Sequence, residues 1–115
     1  MMSQPAFSYT LLNSFAQISE RKIISKGDYI LKEGQIERNL YFVETGAIRV
    51  FYLSEFEEQT IRFGYQGSVI NSLSSFIKQT PSEFYIEAIR KTTIKIISKE
   101  NVLKLVYESN QSLQE

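Results

Sequence analysis

The middle of this chain consists of short runs of β-branched and aromatic residues, cut at even intervals by Gly, Asp or Glu. This pattern begins at Ile23, after Arg21 and Lys22, and runs to Ile97. Runs of this length bounded by turn formers read as strands, and many of them in succession predict an all-β sandwich or roll. Lys26-Gly27-Asp28 is a turn, Tyr29-Ile30-Leu31 a strand and Lys32-Glu33-Gly34-Gln35 another turn. Asn39 to Glu44 is a third extended segment, closed by Thr45-Gly46. Seven Tyr and eight Phe against no Trp agree with a sheet, because flat, stiff side chains pack well on a pleated surface.

The clearest hairpin joins Ala47–Leu53 to Thr60–Tyr65 through the polar turn around Ser54–Gln59. Ile48, Val50 and Tyr52 share one face of the first arm and Arg49 takes the other; Ile61 and Phe63 lie opposite Arg62 in the second. Period-two alternation implies one buried and one wetter face. On that basis Val50 and Ile61 point inward, and Arg49, Arg62 and Arg90 lie on the outer face, solvated or paired with a nearby Glu.

Gly64 and Gly67 mark a sharp reversal, after which the period breaks. Asn71 to Lys78 reads as one or two helical turns capped by Asn71 or Ser72 and ended by Gln79-Thr80-Pro81-Ser82. Strands follow at Glu83–Arg90 and Thr92–Ile97. Helices flank this region on both sides. Phe7, Leu11, Phe15 and Ile18 form one stripe over residues 5–18, with Pro5 in the first turn, and Val102, Leu105 and Val106 recur at helical spacing from Lys99 onward. The expected fold is mainly β, a double-stranded β-helix (jelly-roll β-roll) over residues 23–98 with short flanking helices, in one domain spanning residues 1–115.

Composition closes off several functions. The chain has no Cys and no His, which removes disulfides, thiolate nucleophiles, Ser-His-Asp triads, Cys/His zinc sites, iron–sulfur clusters and the usual haem ligands. Thirteen basic residues balance thirteen acidic ones, so the surplus of cations that grips nucleic-acid phosphates is absent. No apolar run is long enough to cross a bilayer and no signal-peptide pattern opens the chain, so a cytoplasmic location is expected. Glu33, Glu44, Glu83 and Glu87 show no spacing that pairs two carboxylates for acid–base work, and no enzyme is expected.

From Lys26 to Lys99, about two-thirds of the chain, the sequence resembles the cyclic-nucleotide-binding domain of bacterial transcription regulators of the catabolite-activator and fumarate–nitrate-regulator (Crp/Fnr) type. The likeness rests on Lys26-Gly27-Asp28-Tyr29-Ile30, Glu33-Gly34-Gln35, Asn39-Leu40-Tyr41-Phe42-Val43, the Gly46 turn into Arg49-Val50, and Gly67 ahead of the short helix, all in order. The resemblance implies a β-roll with one helix before it and two after it. It also implies a phosphate-binding cassette, here Gly67 to Ser82 with its helix near Ser72–Lys78. The free N–H groups of a helix start make such a turn an anion trap.

The chain departs from the family pattern at the cassette. Asn71-Ser72 stands where the family has a Gly-Glu pair that holds the ribose hydroxyl, and Pro81-Ser82 where it has the Arg-Ser pair whose Arg neutralises the cyclic phosphate. Proline supplies neither a side-chain donor nor a backbone N–H, so the guanidinium of ordinary cyclic AMP recognition is gone. Arg49, Arg62 and Arg90 are the candidates to replace its charge, against the alternation that sets each on an outer face. The resemblance implies ligand-binding roles for Gly67, Ile70, Asn71, Ser72, Leu73, Pro81 and Ser82, with Val50 and Ile61 as apolar wall. Capping and turn formation account equally for Asn71, Ser72 and Ser82, and core packing for the apolar residues.

The expected function is sensing: a cyclic nucleotide or another small anion binds as effector, no other cofactor is called for, and the signal passes to a DNA-binding domain absent from these residues. The full-length regulator is expected to be a homodimer. The alternatives are an orphan module with a vestigial pocket and a structural or dimerising role, and, less favoured, a cupin-like enzyme, for which the usual His ligands are missing.

Overall fold

A computed structural model describes residues 18–114; all but the last residue of the helix expected over residues 5–18 lies outside the described residues. Eight strands and two helices follow: β1 Glu20–Ile24, β2 Tyr29–Leu31, β3 Asn39–Thr45, β4 Ile48–Leu53, β5 Glu58–Gly64, β6 Val69–Ile70, α1 Leu73–Lys78, β7 Tyr85–Ala88, β8 Thr92–Ser98 and α2 Lys99–Gln114. They form two four-stranded antiparallel sheets, ordered β1-β8-β3-β6 and β2-β7-β4-β5, a mainly β jelly-roll sandwich. The chain passes between the sheets at every strand connection except the β4–β5 hairpin. Val43 and Ile94 from one sheet and Ile48, Val50 and Ile86 from the other are buried in the core between them.

The β4–β5 hairpin forms as predicted, but its second arm differs from simple alternation. β4 pairs with β5 as Ile48↔Gly64, Arg49↔Phe63 and Val50↔Arg62, then slips to Phe51↔Thr60. Ile61 is thus the extra residue of a β-bulge, and it is 53% exposed, not inward. Arg62, as the partner of buried Val50, shares Val50's face, the reverse of the sequence expectation. Gly64 confirms the orientation independently: a Cβ there would lie 2.8 Å from Ile70 Cγ1 and 3.1 Å from Ile48 Cγ1, in the core. A bulge inserts one residue without changing composition, so alternation counted along a single strand misassigns every position on one side of it.

Arg49 does lie on the outer face. Its Nε donates to Glu87 Oε1 at 2.8 Å and its Nη2 to Glu58 Oε1 at 2.5 Å, while the guanidinium sits 4.0 Å from the centre of the Phe51 ring. Phe51 in turn stacks on Tyr85 with ring centroids 5.0 Å apart, and is buried although it faces away from the core. Arg49 therefore covers an aromatic ring and ties edge strand β5 to β7 through β4. Arg49→Ala is expected to cost about 1–2 kcal/mol in urea unfolding, mostly through the lost cover, since the Glu58 pair is open to solvent. Wild-type stability in that variant would contradict this role.

Candidate functional site

A 620 Å³ cavity opens between the end of β4 and the segment joining α1 to β7, within the range of small-molecule sites. Glu33 and Gly34 from the β2–β3 loop, Tyr52 and Leu53 from β4, and Pro81, Ser82, Glu83 and Phe84 line it. Backbone bonds fix the wall: Gly34 N–H donates to Ser82 O at 2.8 Å and Ser82 N–H to Gln35 O at 2.7 Å, and Ile36 bridges to Pro81. Ser82 Oγ accepts from Phe84 N–H at 2.9 Å, a hydroxyl-stabilised turn that sends Phe84 toward Tyr52; their rings meet edge-on at 6.3 Å. The charged lining residues are two carboxylates, Glu33 and Glu83, and no cation.

Behind this wall lies a fully buried carboxylate, Glu37. Its Oε1 accepts from Tyr41 Oη at 2.8 Å and from Asn39 N–H at 3.1 Å, and its Oε2 accepts from Ser72 N–H at 3.3 Å. Its own N–H donates to Ser75 Oγ at 2.8 Å, inside α1. Burial pushes the Glu37 carboxyl above the usual carboxylate range, against the opposing effect of the bonds from Tyr41, Asn39 and Ser72. Burial, then the nearby Glu37, pushes the Tyr41 hydroxyl up as well, so it stays protonated and donates. The start of α1 therefore faces a protein carboxylate, which occupies a donor that an external anion would otherwise use.

The family model for the cyclic nucleotide-binding domain matches residues 21–109. The chain belongs to the cyclic nucleotide-binding domain family. Among solved structures it is similar to the catabolite activator protein of Thermus thermophilus, with 18% identity and a TM-score of 0.76 over 91% of this chain and 51% of that one. It is also similar to the sensor domain of the transcriptional regulator DNR from Pseudomonas aeruginosa, with 14% identity and a TM-score of 0.79 over 94% and 73%. A third is the c-di-GMP responsive global regulator CLP of Xanthomonas campestris, with 16% identity and a TM-score of 0.74 over 92% and 57%. At these identities the likeness is one of fold, and the chain spans about half the length of the Thermus protein. No curated protein matches the sequence.

Within this cyclic nucleotide-binding domain, the residues singled out in the sequence fall into separate places. Pro81 and Ser82 line the cavity. Ser72 is buried behind them with its Oγ 2.9 Å from Ser82 Oγ, and holds the N-cap position without making a side-chain cap bond. Asn71 donates from Nδ2 to Asn39 O at 3.2 Å, tying the cassette to β3. Ile70 and Val50 are core, whereas Leu73 is 61% exposed on α1. Gly67 sits in the β5–β6 turn at φ +89°, its N–H bonded to Val43 O. The two aromatic walls, Tyr52 and Phe84, and the buried Glu37 were not anticipated as site residues. Tyr52 carried a signal, since it continues the inward face of Ile48 and Val50. Glu37 carried none, being one charged residue among many in a loop.

Proposed function

We propose that this domain is the sensing part of a Crp/Fnr-type transcription regulator, binding a small anionic effector, a cyclic nucleotide or a relative of one, in the cavity between β4 and the cassette. The observation that carries this reading is a cavity of ligand size at the cassette's far end, walled by the aromatic pair Tyr52 and Phe84. The role is non-catalytic: binding shifts the balance between two arrangements of α2, which leads toward a DNA-reading domain and a dimer partner in the full-length regulator. A solved relative described as c-di-GMP responsive supports effectors other than cyclic AMP on this fold. The proline at position 81 favours a second reading, a module that binds nothing and serves to hold or dimerise its partner domain.

Stacking on an aromatic wall is worth about 1–3 kcal/mol per base. Tyr52→Ala is therefore expected to weaken binding of cyclic AMP or cyclic di-GMP, whichever the wild type takes, by about five- to a hundredfold in calorimetric titration. Tyr52 is 39% exposed, so the fold should survive its truncation. Equal affinity in the two proteins would put the ligand elsewhere.

A further inference from the structure

We propose that Arg62 supplies the effector-binding cation that the cassette lacks, so that a ring-bearing phosphate binds with its phosphate toward β5 and its ring toward Tyr52 and Phe84. This rests on the reading of the cavity as an effector site. Three observations carry it. First, the bulge at Ile61 turns Arg62 onto the face of Val50, and the core-directed Cβ direction at Gly64, two residues on, agrees. Tyr52 lies two residues beyond Val50 on that face; such diagonal neighbours are about 7–8 Å apart, within reach of an arginine. Second, Arg62 is exposed and its side chain makes no hydrogen bond or ion pair among the described residues, whereas Arg49 on the outer face is paired with two glutamates. A free guanidinium on an inner sheet face is available to a planar anion in a bidentate fork.

Third, the cavity's own lining is unsuited to an anion. Glu33 and Glu83 line it, Pro81 offers no donor, and the Ser72 N–H is taken by Glu37. Like charges in that lining disfavour a phosphate there, which leaves the uncommitted Arg62 of β5, outside the lining, as the cation to hold it. β-Bulges commonly re-aim a side chain toward a site, and this one does so for the arginine.

The test is titration of the whole chain with cyclic AMP, cyclic di-GMP and adenosine, comparing wild type with Arg62→Gln, Arg62→Lys and Tyr52→Ala. Arg62→Gln is expected to weaken the bound phosphate compound about ten- to a hundredfold, with Arg62→Lys in between, and to leave the melting temperature of the free protein unchanged. If wild type binds a phosphate compound, Tyr52→Ala loses it and Arg62→Gln does not, the effector site stands and the role of Arg62 is overturned. If wild type binds neither phosphate compound, the effector site and the role of Arg62 fall together. Binding of adenosine as tight as that of cyclic AMP also overturns the role of Arg62, because the phosphate would then contribute nothing.

Discussion

Gly46→Ala should be among the most damaging single-methyl changes this domain can carry. Gly46 closes β3 with φ +102°, a backbone conformation strained for any side chain, and its added Cβ would meet Thr92 Oγ1 and stand 2.6 Å from both Lys91 O and Thr92 Cα. Two of those neighbours are backbone and cannot rotate away. The third is fixed as well: Thr92 Oγ1 accepts from Ala47 N–H at 3.1 Å and lies 2.7 Å from Arg90 O, fastening the β3–β4 and β7–β8 connections to each other. Left-handed strain of about 1–3 kcal/mol adds to overpacking of about 1–3 kcal/mol, a large share of the roughly 5–15 kcal/mol that holds a domain folded. A fall of at least about 10 °C in the unfolding midpoint is expected. Gly27→Ala is the control: at φ +88° it is strained too, but nothing lies within 4 Å of its Cβ, so only the strain cost should appear. Equal losses in the two variants would mean that the contact with Lys91 and Thr92 is unimportant.

Glu37→Ala should cost about 3 kcal/mol or more, because it leaves Tyr41 Oη and the Asn39 and Ser72 N–H groups without their acceptor in a buried site. The pH dependence separates this carboxylate from its neighbours. Burial raises its folded pKa above the unfolded value, so the folded chain binds its proton more tightly than the unfolded chain does. Its contribution to stability is then fully present below the ordinary glutamate range and is lost as pH rises through the folded pKa. Glu37→Gln keeps the shape and removes the titration. In urea unfolding between about pH 4 and 8, the stability of wild type relative to the Gln variant should decline as pH rises. Parallel curves would contradict the raised pKa.

What could be read from the sequence follows from how local each signal is. The turns at Gly27, Gly34, Gly46 and Gly67 are set by residues next to one another, and all four glycines adopt positive φ. α1 was legible because its boundaries are local too, with Ser72 at its N-cap and Gln79 ending it in the left-handed conformation. β1 begins at Glu20, ahead of the predicted start, because four of its five residues are exposed and no apolar face announces them. β6 is only two residues long and held by pairing to β3, which no periodicity reports. The site depended on features that a single strand does not reveal. Phe84 meets Tyr52 across the strands, Glu37 meets Ser72 from a loop 35 residues away, and Arg62 takes its face from a slip against β4.

The effector site is tested most directly by thermal unfolding of the wild-type chain with cyclic AMP, with cyclic di-GMP and with inorganic phosphate. A compound that fits the cavity, present at a hundred times its dissociation constant, should add about 2.7 kcal/mol of stability and raise the midpoint by several degrees. One of the two cyclic nucleotides is expected to do so, and inorganic phosphate at the same concentration is not, having no ring to set against Tyr52 and Phe84. An unchanged midpoint with every compound at millimolar concentration would contradict the account and leave the domain a structural module.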